Sequence, residues 1–140
     1  MQLNAKRVLV GGIAAGIVIF AVSFVADLVI AAIFPYDIFS LGGMRAKQDP
    51  LMVLFFLHPW VLGFAMAAAF EKFRGCFRSK GLCRGKAFGI YVWLLAGLPS
   101  AFIVYTSMDY PLGFTVSSLA GSFLYMVAAG IGLEMLSGKA

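Results

Sequence analysis

Charge is scarce in this chain. Only 12% of its 140 residues are Asp, Glu, Lys or Arg, where a soluble domain carries about a quarter. No hydrophilic stretch is longer than Glu71–Lys86, so a folded water-soluble domain has nowhere to sit. Histidine occurs once and cysteine twice, too little for a zinc site of three or four such ligands or for a bis-histidine haem. Cys76 and Cys83 match neither the C-x-x-C redox spacing nor a zinc knuckle. Free thiols are expected there if the segment is cytoplasmic. Ser, His and Asp are all present, but the hydrolase elbow G-x-S-x-G is absent. Gly11, Gly12 and Gly16 sit inside an apolar run with no strand before them, which excludes a dinucleotide fingerprint. No catalytic residue is assigned, and no metal or cofactor is expected. The one cofactor role left open is His58 as a haem or chlorophyll ligand at a subunit interface.

Oily residues fill the space. Hydrophobic side chains make up 62% of the chain, and its mean hydropathy is +0.97. Apolar runs near the length needed to cross a bilayer place it in a membrane. The sequence predicts an all-α fold, an integral membrane four-helix bundle forming a single domain over residues 1–140. The spans are 8–34, 51–70, 87–107 and 112–136, with a basic cytoplasmic loop at 71–86. The first run is too long for the apolar core of a cleaved signal peptide, so it is read as a retained helix that Pro35 ends.

The net charge of +5 then needs no nucleic acid. With four spans, the N-terminus, the basic loop and the tail share one side, and they hold Lys6, Arg7, Lys72, Arg74, Arg78, Lys80, Arg84, Lys86 and Lys139. The other side holds Arg45 and Lys47. The positive-inside rule places both termini and the basic loop in the cytoplasm of an inner (plasma) membrane protein. Tyr36, Phe39, Tyr105 and Tyr110 suit the outer interface. The six cations of the basic loop are also candidates for contact with anionic lipid headgroups or an acidic partner.

Inside lipid, close approach and interhelical hydrogen bonds hold helices together. Small residues four apart occur in every span: Gly12 and Gly16, Gly63 and Ala67, Gly85 and Gly89, Gly97 and Ala101, Ser118 and Ser122, Ala128 and Gly132. Hydropathy pairs the spans into two hairpins, first with second and third with fourth. No sequence repeat relates the halves. Pro59 and Pro99 bend their helices at a similar depth, and the two bends either are kinks tolerated inside a packed bundle or open a small cavity toward the outer leaflet.

Counted from the outer helix ends, Asp27 and His58 both fall about 10 Å below the boundary. The same count brings Ser100 and Ser117–Ser118 to that level. The candidate intramembrane polar layer is Asp27, His58, Ser100 and Ser118. Such a layer either pins helices together or forms a protonatable site.

The opening run Lys6 to Gly16, the later Asp27, and Tyr110-Pro111-Leu112 running into the small residues of Ala128 to Gly132 resemble a widespread group of small four-helix bacterial inner-membrane proteins. That group has no assigned function. The resemblance implies four spans and transfers no catalytic residue. Small multidrug-resistance exporters fit worse, because they rely on a Glu in the first helix where this chain has Asp27. The Gly- and Arg-containing pattern of fluoride channels is absent. The expectation is a small non-enzymatic membrane protein, an accessory subunit of a membrane complex or a self-associating bundle, in contact with lipid. The alternative is a proton-coupled carrier or channel using Asp27 and His58. A membrane enzyme acting on a lipid or quinone comes third.

Overall fold

The computed structural model describes residues 4–37, 40–42, 45 and 48–137. Phe39, Gly43, Lys47 and Lys139 lie outside the described residues. Every regular element among the described residues is helical, and four helical rods are long and apolar enough to cross a membrane: Ala5–Ile33, Met52–Cys76, Leu82–Ser107 and Leu112–Ser137.

The first rod is a single helix, α1 (Ala5–Ile33). Asn4 starts it by accepting the Arg7 N–H on its side-chain oxygen at 3.2 Å, a standard N-cap. Phe34 leaves helical geometry at φ −123°, ψ 82°, as the residue before a proline tends to. Leu9, Ile13, Ile17, Phe24, Val25 and Leu28 are exposed while Ala15 and Ile19 are buried. Apolar surface on all sides is how a helix bathed in hydrocarbon reads.

The second rod is broken where Pro59 lacks an N–H. It comprises α2 (Met52–Phe55), α3 (His58–Phe73) and a 3₁₀ turn, Arg74–Cys76. Around the break, Phe56 and Leu57 donate three residues back, to the carbonyls of Val53 and Leu54 at 3.1 and 3.0 Å. The chain tightens instead of leaving donors orphaned.

The third rod adapts to its proline in the opposite sense. Between α4 (Leu82–Val92) and α5 (Leu98–Ser107), a π turn over Trp93–Gly97 widens the helix, and Leu98 donates five residues back to Trp93. The fourth rod carries a matching π turn, Ser117–Gly121, between α6 (Leu112–Val116) and α7 (Ser122–Ser137).

The stretch Glu71–Lys86, expected as a loop, is mostly helix. α3 reaches Phe73 and α4 begins at Leu82, leaving 77–81 as the connection. Lys and Arg are good helix formers, and several of these charges find partners described below. Gly81, at φ +60°, starts α4 in a conformation that L side chains rarely adopt.

The first rod packs on the second, the third on the fourth, and the first on the fourth. Second and third meet through Phe70 and Phe88, whose rings stack edge-on at 5.0 Å. Glycine fixes each hairpin crossing. A Cβ on Gly63 would lie 2.6 Å from the Gly16 nitrogen and 2.7 Å from the Gly12 carbonyl oxygen. In the other hairpin, a Cβ on Gly130 would lie 2.4 Å from the Gly85 carbonyl oxygen, and one on Gly89 would meet the Met126 carbonyl at 2.5 Å. Backbone touches backbone, as a small-xxx-small seam allows. Around these crossings lies the core of Ala15, Ile19, Met66, Phe70, Met126, Ala129 and Leu133, toward the cationic end of the rods. At the other end Tyr110 donates its hydroxyl proton to the Gly42 carbonyl at 2.9 Å and stacks on Phe114.

Candidate functional site

Polar side chains join neighbouring rods in three places. Asp27, on α1, accepts a hydrogen bond from Ser117 Oγ at the head of the fourth rod's π turn. Ser117 is buried, while Asp27 is exposed on the side of the bundle. Ser118 is half-buried, and Ser100 and His58 are exposed. Among the described residues no hydrogen bond or ion pair joins Asp27 to His58.

The glycine crossing explains that separation. Gly63 sits against Gly12 and Gly16, and Trp60 packs on Gly16. Continuing this antiparallel register sets His58 opposite Ile19, about 12 Å along the axis from Asp27. Counting from the loops gave equal depths because it took both helices to end at one level. The backbone contact fixes the register instead.

The second place is the facing pair of π turns. Trp93 Nε1 donates to the Leu119 carbonyl at 3.1 Å and to Ser122 Oγ at 3.0 Å. Ser122 Oγ also donates to Leu119 O at 3.1 Å. Gly97 makes room for this, since a Cβ there would sit 2.6 Å from the Trp93 ring. A π turn leaves a carbonyl short of its usual donor, and here an indole from the neighbouring rod supplies one. An apolar groove of about 330 Å³ runs beside it, between Trp93 and Leu124.

The third place is the cationic end. Arg84 grips Glu134 with two hydrogen bonds, Nε–Oε2 at 2.7 Å and Nη2–Oε1 at 2.8 Å, and Glu134 is only 6% exposed. Glu71 sits between Arg7 at 3.6 Å and Arg74 at 3.7 Å. Of the six cations in the basic segment, Arg74 and Arg84 are thus half-buried in ion pairs, whereas Lys72, Arg78, Lys80 and Lys86 are exposed. Between the start of α1 and the ends of the second and fourth rods lies a cleft of about 470 Å³.

Sequence reasoning missed Glu134 and Trp93 as partners, and of the two serines it brought to the Asp27 level, Ser117 and not Ser118 makes the bond. Glu134 carried a signal, as the sole charged residue of the fourth span. Arg84 stands directly before the Gly85/Gly89 pair that packs on the same rod. Among the described residues no cluster of three His, Cys, Asp or Glu side chains could hold a metal ion. Cys76 and Cys83 are free and exposed. Compared with known proteins, the chain matches no family model, no curated protein and no solved structure.

Proposed function

We propose that this is a non-enzymatic multi-pass protein of the inner membrane, working as a subunit of a larger assembly, either of its own copies or of another complex. One observation carries the reading. The polar groups that bond between rods do so at separate levels, as Asp27–Ser117, Trp93–Leu119–Ser122 and Arg84–Glu134 do. They act as fastenings instead of converging on one reaction centre. The exposed apolar shell suits hydrocarbon, and the excess of Lys and Arg at one end favours both termini and the 77–81 connection in the cytoplasm. Asp27 supports the assembly part of the proposal. A carboxylate turned toward lipid is costly, and a second subunit laid over that face would remove the cost.

Two measurements test this. In mild detergent the protein is expected to run as a stable oligomer or with a bound partner; a lone monomer overturns the assembly reading. A membrane-impermeant maleimide is expected to reach Cys76 and Cys83 only after the membrane is opened. Labelling in intact cells overturns the orientation.

A second reading, proton movement, is favoured by Asp27 bonding Ser117 at the head of a π turn, a distortion frequent at functional sites. His58 does not share that site. Reconstituted protein would then lose proton flux in Asp27→Asn and keep it in His58→Ala. Equal flux in wild type and Asp27→Asn removes this reading.

A further inference from the structure

The cleft at the cationic end has a layout the fastening role does not require. Its floor is apolar, formed by Val10, Gly11, Phe70 and Leu133, and its rim carries Lys6 and Arg7. Glu71, also on the rim, already faces Arg7 and Arg74, so its charge is compensated from within the bundle. Lys6 has no ion-pair partner among the described residues. The first turn of α1 adds its own positive dipole end at the same rim, because Asn4 and Lys6 both line it. The opening thus offers cationic donors above and a greasy trough below, at the level where headgroups meet acyl chains when the rods cross a bilayer.

We infer that this cleft is a binding site for an anionic phospholipid, its phosphate held at Lys6 and Arg7 and one acyl chain laid along Val10, Gly11 and Leu133. Charge complementarity selects the headgroup sign. The volume of about 470 Å³ is in the range of small-molecule sites, enough for a headgroup and the upper part of a chain. The site is distinct from the exposed cations Lys72, Arg78, Lys80 and Lys86, none of which lines this cleft. The inference rests on the rods crossing a membrane and is independent of what the protein assembles with.

Native mass spectrometry of the detergent-solubilised full chain, with phosphatidylglycerol or phosphatidylcholine added, tests it. One phosphatidylglycerol is expected to be retained in preference to phosphatidylcholine. Lys6→Gln should weaken that retention about fivefold, the effect of one basic residue near a lipid surface. Val10→Phe, which fills the cleft from a half-exposed position without touching a charge, should weaken it as well. Arg45→Gln, at the opposite end of the bundle, should leave it unchanged. Equal retention of the two lipids, or retention indifferent to Lys6→Gln and Val10→Phe, overturns the site. So does binding of inorganic phosphate with no lipid retained. Alkaline extraction of wild-type membranes tests membrane crossing separately from the cleft. Protein that stays in the pellet but shows no lipid preference sinks the cleft alone, whereas protein released to the supernatant sinks membrane crossing along with it.

Discussion

Arg84 and Glu134 close the third rod on the fourth through two hydrogen bonds of 2.7 and 2.8 Å. Glu134 is nearly sealed from solvent and Arg84 keeps a quarter of its side chain exposed. A charge left unpaired in such a place is costlier than the pair is stabilising. Glu134→Gln or Arg84→Ala is therefore expected to destabilise the bundle by about 3 kcal/mol. The double variant Arg84→Met/Glu134→Met should recover more than half of that loss. Thermal or denaturant unfolding in detergent, read by circular dichroism, checks both. A double variant as damaged as the sum of the two singles would count against the pairing.

The crossings should separate glycines sharply. Gly63→Ala drives a methyl into the backbone of Gly12 and Gly16, and overpacking of this kind costs about 1–3 kcal/mol. A methyl on Gly121 meets only Ala26 Cβ, at 4.0 Å, and should change stability by no more than about 0.5 kcal/mol. Side-by-side melting of the two variants is the measurement, and equal losses would show that the crossing does not fix the hairpin.

Asp27 and Ser117 allow structure and chemistry to be told apart. Asp27→Asn keeps an oxygen to accept the Ser117 proton, so stability should change little. Ser117→Ala removes the donor and should cost about 1 kcal/mol. Unfolding measurements on the two variants check this. A large loss from Asp27→Asn would mean that the charge itself holds the helices.

At the turn before the second rod, Asp49 accepts from Arg45 at 2.8 Å and from the Leu51 N–H at 2.9 Å. The Arg45 hydrogen bond, with the Leu51 N–H behind it, holds the Asp49 carboxyl below its ordinary value. A lowered native pKa means the turn is supported above the ordinary carboxylate value of about 4 and loses that support as pH falls through the native value. NMR titration of the Asp49 carboxyl carbon should show a midpoint below that value, moving upward in Arg45→Gln. Because Arg45 and Asp49 pair at the surface, global stability should barely follow.

Much of this architecture was legible from composition and spacing. Apolar run length gave the four rods, and Gly12, Gly16, Gly63, Gly85 and Gly89 all sit at the crossings. The Asp27–His58 level was not legible, because hydropathy locates helix ends only loosely while a glycine contact fixes register to a residue. The serine next to the expected one bonds Asp27, since a π turn rotates the residues around it and leaves no mark in composition. Pro99 hinted at a distortion in the third rod. Nothing comparable marks Ser117–Gly121. The basic segment read as a loop because its charges were counted for sidedness and not as ion-pair partners that would stabilise helix ends.

Each hairpin carries the same hardware in the same order: an arginine then two glycines four apart on the outgoing rod, one glycine then a glutamate on the returning rod. Arg7, Gly12, Gly16, Gly63 and Glu71 are answered by Arg84, Gly85, Gly89, Gly130 and Glu134. Either half thus owns a complete clasp, and the backbone between Arg78 and Ser79 contributes no part of it. Two polypeptides made separately, severed at that point, should each zip up alone and then dock across the first and fourth rods, as though the chain were a dimer of unlike halves that happens to be tied by a short string.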